Sequence, residues 1–204
     1  SLVGSWGYAP AVETNSTGDT LWWELQWTSQ EDANNAWEAW VQNEEALVWE
    51  EKYSSVLDCD GENRQSHDVA YPMASNAFGE LPETGYFYAE IHICEFKDGA
   101  SKNDALGFLE GFNNAVNEGG YEETSYHYGN YFQQGNDNGF LWGNFTNSKE
   151  SMDKANVAFE ANVRDKMFPI FSEFATCGEV PDLYNGYTLY WSEDKDFMPT
   201  FPSS

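Results

Sequence analysis

The chain has 204 residues, with 35 acidic against 9 basic side chains and a formal net charge of −26. Repulsion on that scale excludes nucleic acid and anionic membrane as partners, and no apolar run approaches the ~18 residues that span a bilayer. Hydrophobic residues make up 41% of the chain, with 14 Phe, 12 Tyr and 9 Trp, enough for a sizeable core in one large domain or two small related ones.

In chain order, Leu2 to Ala11 supplies a first strand and Leu21 to Trp27 an alternating second one. Ser29 is placed to cap a helix, with an acid two or three residues on. Asp58-Cys59-Asp60-Gly61-Glu62-Asn63 is the best local calcium candidate, but it lacks the Gly and Glu positions of an EF-hand loop. A short strand is expected from Ser66 to Tyr71, and loop from Met73 to Gly85.

Tyr86 to Phe96, YFYAEIHICEF, alternates strictly. One face is Phe87, Ala89, Ile91 and Ile93; the other is Tyr88, Glu90, His92 and Cys94. Ser101 or Asp104 caps a helix carrying Leu106, Leu109, Phe112, Ala115 and Val116, which Gly119-Gly120 stops. Thr124 to Phe132 is the next strand, and Asn136-Asp137-Asn138-Gly139 a hairpin signal. Phe140 to Phe145 alternates again. Ser148 caps a helix with Met152, Ala155, Phe159 and Val163 on one face. Pro169 is expected to kink or end that helix before Phe171 and Phe174. Gly186 to Trp191 is the last strand.

Sliding the chain by 118 positions pairs Trp27 with Phe145, Tyr53 with Phe171 and Cys59 with Cys177. We read this as an internal repeat of strand, helices and strand. It divides the chain into residues 1–80, an incomplete half without its leading β-α piece, and residues 81–204, a complete β-α-β-β-α-β half. Cys59 and Cys177 stand at matching positions and would meet only if they lie near a pseudo-twofold axis, so the sequence leaves their disulfide state open; Cys94 reads as a small buried residue and not a nucleophile. Asn15-Ser16-Thr17 and Asn144-Phe145-Thr146 match the glycosylation triplet. A start at Ser1 without a charged-then-apolar leader reads either as a removed signal peptide or as a fragment, and high acidity, few Lys and many Trp and Tyr suit an exported protein, extracellular or periplasmic.

This order of elements, with its repeat, resembles the dimeric α/β-barrel superfamily of ferredoxin-like domains in its fused, pseudodimeric form. The resemblance covers residues 20 to 192 and includes no specific catalytic motif. It implies an α+β fold with antiparallel sheets, helices outside and a cavity between the opposite sheet faces. Members include cofactor-independent monooxygenases, haem-degrading and haem-peroxidase enzymes, and isomerases.

On that arrangement the helices take Phe87, Ala89, Ile91 and Ile93, Trp23, Leu25 and Trp27, and Leu141 and Phe145 as their floor. The cavity is then lined by Tyr88, Glu90, His92 and Cys94, by Trp22, Glu24 and Gln26, and by Phe140, Trp142 and Asn144: an aromatic wall with a few polar groups, suited to a small molecule. Glu90 and His92 are the acid–base candidates, and the other seven, Cys94 apart, the ligand-binding ones. His67 and His127 lie on other strands and complete no metal set. Two readings stand: a small-molecule-binding protein, with cofactor-independent oxidation or haem-type chemistry as its enzymatic form, or a structural protein that completes its sheet with a neighbouring chain.

Overall fold

The computed structural model describes residues 1–11, 21–59, 61–71, 84–194 and 196–199. The strands are β1 (Leu2–Pro10), β2 (Trp22–Trp27), β3 (His67–Ala70), β4 (Tyr86–Phe96), β5 (His127–Gln133), β6 (Gly139–Thr146), β7 (Ala175–Cys177) and β8 (Asp182–Trp191). The helices are α1 (Gln30–Trp40), α2 (Glu44–Tyr53), α3 (Lys102–Asn117), α4 (Lys149–Ala158) and α5 (Arg164–Phe174). The fold is α+β, with one antiparallel sheet curled into a half-barrel. Among the described residues no helix is long and apolar enough to cross a membrane.

Four strands, in the order β8-β4-β6-β5, form the middle of the sheet. With α3 between β4 and β5, and α4 and α5 between β6 and β8, these strands follow one another in the order β-α-β-β-α-β. The strands before residue 72 do not make a sheet of their own. β1 and β2 extend the edge at β8, and β3 extends the edge at β5.

Local chemistry explains the helix starts. The Ser29 hydroxyl accepts from the Asp32 amide, the Ser148 hydroxyl accepts from the Ser151 amide, and Ser101 with Asp104 forms a reciprocal capping box. The expected break at Pro169 falls earlier. A π-helical turn over Phe159–Val163 separates α4 from α5, and α5 runs through Pro169.

The face assignment of β4 is the reverse of the expectation. Phe87, Ala89 and Ile91 line the inside of the curl, packed with Tyr8, Phe145 and Tyr184. Tyr88, Glu90, His92 and Cys94 lie on the outer face, toward the helices: Tyr88 is buried with Met152 of α4, and Cys94 sits in the main core with α3 and α5. The interior of a curled sheet is narrow, and it takes hydrocarbon and rings that lie flat on glycine. A Cβ at Gly186 would come within 2.1 Å of the Phe87 ring, and one at Gly129 within 2.3 Å of the Tyr71 ring.

The same reversal applies to Phe140, Trp142 and Asn144, which pair across β4 with Cys94, His92 and Glu90 and share their face. For β4, polarity alone gives the apolar face to the helices; for β6, a one-residue error in the repeat offset adds to this. The two helix caps, Ser29 and Ser148, stand 119 apart, not 118, and a single step flips every strand side chain to the other face. The main core lies on that outer face: Phe108, Leu109, Phe112 and Val116 of α3, with Met167 and Phe174 of α5, close over Tyr128, Phe140 and Trp142. The Tyr128 and Trp142 rings stack at 5.5 Å, 2° from parallel.

The disulfide, left open by the sequence, joins Cys177 to Cys94 and not to Cys59. Cys94 and Cys177 face each other directly across β4 and β7 and are bonded, while Cys59 is free and exposed. Only directly opposed Cβ atoms bring two sulfurs into reach, and the repeat pairs Cys59 with Cys177 in sequence without placing them together.

Candidate functional site

Of the residues proposed to line a cavity, the three on β2 are on the predicted side. Trp23 turns outward, its Nε1 donating to Ser5 Oγ at 2.8 Å and its ring meeting Trp40 of α1. Glu24 therefore points into the curl. There the Tyr8 hydroxyl of β1 donates to Glu24 Oε2 at 2.6 Å. Trp22 is half exposed and acts on Tyr184 of β8, and Gln26 is half-buried beyond Glu24.

Glu24 is joined by tyrosines that the sequence did not single out. Tyr71, one residue past β3, bears on the Glu24 carboxyl and shares a 2.6 Å hydroxyl contact with Tyr131 of β5. Four elements, β1, β2, the end of β3 and β5, thus deliver one carboxyl and three phenols to one place. Tyr71 also lies over His127, rings 5.4 Å apart, and His67 meets Tyr131 edge-on at 6.4 Å. The pattern signal was weak: these tyrosines are spread over 124 positions of a chain rich in aromatics.

The electrostatics follow from burial. Enclosure by protein pushes the Glu24 carboxyl up to about 7, against the downward pull of the Tyr8 and Tyr71 phenols. Burial first, and then the nearby Glu24 charge, hold Tyr8, Tyr71 and Tyr131 well above the ordinary phenol range. Burial pulls His127 down to about 4. Near neutral pH the phenols are therefore neutral donors, His127 is uncharged, and Glu24 is the group poised to gain or lose a proton.

Tyr131 also reaches the end of the half-barrel. A concavity wraps the sheet end there: His67, Ile93, Tyr131, Gln133 and Leu141 line it on the inner face, and the connections at residues 97–100 and 136–139, with Cys94, Phe96 and Phe140 of the outer face, make up most of the rest. Ile93, the last of the hydrocarbon face of β4, is 60% exposed in it.

The outer-face candidates are occupied otherwise. Glu90 accepts from Asn156 Nδ2 of α4 at 3.2 and 3.3 Å, and burial raises its carboxyl while that bond partly offsets the rise. Burial lowers the His92 imidazole. Glu90 and His92 share a face, as expected of an alternating strand, but that face lies against the helices and not in an enclosed space. Asn144 Oδ1 accepts from both Tyr126 and Trp142 Nε1, at 2.7 and 2.8 Å, which commits it to the core and not to a glycan or a substrate carbonyl. Asn15 and Asp60 lie outside the described residues, as does the side chain of Glu62. Among the described residues no group of three or more His, Cys, Asp and Glu side chains could hold a metal ion.

Comparison with models of protein families finds no match, and comparison with curated proteins finds none either.

Proposed function

We propose that this is an exported small-molecule-binding protein whose ligand enters the mouth at His67, Ile93, Tyr131 and Leu141 and meets a proton-carrying chain, Tyr131–Tyr71–Glu24–Tyr8, at its inner end. The observation that carries this reading is the 2.6 Å contact between Tyr131 and Tyr71. It connects a group on the mouth to a half-buried carboxyl poised near neutrality.

Apolar walls with a few converging polar groups suit a small, flat, largely apolar molecule bearing one hydrogen-bonding oxygen. Tyr131 would bind that oxygen through its hydroxyl, accepting from a bound enol or phenol while its own proton goes to Tyr71, and donating to the oxyanion once the relay has turned. In an enzymatic form, Glu24 would take up the proton that a bound enol or phenol loses, passed along the tyrosine hydroxyls, and return it to the product. This chemistry needs no cofactor. Export is supported by the Cys94–Cys177 bond, since such bonds persist in oxidising compartments. Duplication is supported by the offset that lays α1 on α4 and α2 on α5.

The test is a panel of small phenols and aromatic ketones followed by methyl NMR at Ile93 and Leu141. We expect shifts at those methyls, and binding at least tenfold weaker in Tyr131→Phe. Ligands that shift only outer-face residues, or bind Tyr131→Phe unchanged, would remove the proposal.

A further inference from the structure

Seven strands run in the order β2-β1-β8-β4-β6-β5-β3, and every neighbouring pair is antiparallel. Alternation over an odd number of strands leaves the two edge strands, β2 and β3, pointing the same way. They cannot close the sheet on each other as an antiparallel pair. One further strand, running opposite to both, would close it. The edges face each other across the interior, since Tyr71 at the end of β3 acts on Glu24 of β2.

The complete half shows what belongs there. The 119-residue offset of the helix caps matches β2 with β6 and β3 with β8. It matches Trp22 with Leu141, and their cross-strand partners are Tyr8 and Tyr131. Between β6 and β8 lies β4, antiparallel to both and followed by α3. Between β2 and β3, among the described residues, lies nothing.

The outer layer carries a second, independent sign of the same gap. α3 buries Ala105, Phe108, Leu109, Phe112, Ala115 and Val116, packing beside α5. α1 buries no residue and α2 only Ala46, while Val41, Leu47, Val48 and Trp49 are 63%, 49%, 64% and 38% exposed. Two helices of 11 and 10 residues are too short to persist on their own propensity. An apolar surface of this kind marks a place for another element.

We infer that the slot between β2 and β3, together with the bare α1–α2 face, receives a β-strand followed by an amphipathic helix from a partner polypeptide, closing an eight-stranded barrel. Its chemistry is set by what it meets. The strand alternates, with small or apolar residues inward, and its main chain pairs with the outer edges of β2 and β3, beside which no other strand lies among the described residues. The helix is net basic, because α1 and α2 carry Glu31, Asp32, Glu38, Glu44, Glu45, Glu50 and Glu51 against Lys52. A second copy of this chain, at a net charge of −26, is disfavoured by repulsion. The inference stands on strand parity, helix exposure and the reach of Tyr71 to Glu24 across the interior, and does not depend on the protonation state of Glu24.

The test is hydrogen exchange on the whole chain, alone and with a synthetic peptide copying Tyr86–Asn117 with C94S, E90K, E95K and E110K. Alone, β2 and β3 amides should exchange at least a hundredfold faster than those of β6 and β8. With peptide, both edges should slow at least tenfold at one peptide per chain, and Val48→Asn should weaken binding about tenfold. A peptide lacking the strand should leave β2 and β3 unchanged. The inference is overturned if the edges of the free monomer are already protected, as they would be if residues 72–83 filled the slot. It is equally overturned by edge protection that depends on self-association, or by a saturating peptide that protects neither edge.

Discussion

Two helical layers cover the outside of the same sheet, and they are built to different standards. α3, α4 and α5 lie on Tyr128, Phe140 and Trp142 and close the main core. α1 and α2 have equally sound caps, at Ser29 and Asn43, and a run of ring contacts from Trp23 through Trp40 and Trp49 to Tyr53, yet they bury almost nothing. Caps and local aromatic pairs define where a helix begins and ends. Burial comes from a neighbour on the far side, which α5 has in α3 and α2 lacks.

The largest expected effect lies in the complete layer. Phe112→Ala should cost about 3–5 kcal/mol in denaturant unfolding, because its ring contacts Tyr128 and Trp142 at 4.9 and 5.0 Å in a closed core. Trp49→Ala, in the open layer, should stay within about 1 kcal/mol. Equal losses at the two sites would erase the contrast between the layers.

Next is the cross-link. Cys94→Ala with Cys177→Ala opens a loop with a sequence separation of 83 and should cost about 2–4 kcal/mol, whereas Cys59→Ser should change nothing measurable. A cost at Cys59 would mean that the exposed loop after α2 is tied down in solution.

Smaller, but with a definite sign, is the pH dependence. The Glu24 carboxyl titrates near 7 in the folded chain and near 4.5 when unfolded. Its contribution is therefore complete below pH 4.5 and is lost as pH rises to 7, about 3 kcal/mol at most by the usual conversion. His127, lowered to about 4, works the other way: its contribution is complete above about 6.5 and is lost as pH falls toward 4. Glu24→Gln should remove the first slope and leave the second, as read from unfolding midpoints between pH 4 and 8. The smallest effect is at the outer face: Asn156→Ala frees a Glu90 carboxyl at the rim and should cost less than about 1 kcal/mol.

Much of the fold was legible because strands and helices carry their own periods. The strict alternation of Tyr86 to Phe96, the three serine caps and the β-α-β-β-α-β order from residue 81 all appear in the structure. Which face of a strand looks inward was not legible from polarity. Phe87, Ala89 and Ile91 could serve equally as a floor for helices or as the filling of a narrow curl, and only the glycines opposite them, Gly186 and Gly143, distinguish the two. The carboxyl of the candidate site was found on β2, where the face was assigned correctly. Its partners Tyr8, Tyr71 and Tyr131 were not, because contacts made across a sheet's curvature leave no spacing in the chain.

Everything proposed for the interior depends on the state of one proton. A carbon-detected NMR titration of the Glu24 side-chain carboxyl, from pH 3 to pH 9, measures it directly. The arrangement described here predicts a midpoint near 7 that moves when Tyr8 is replaced by Phe. A midpoint near 4.5, unmoved by that replacement, would place Glu24 in solvent and contradict the account.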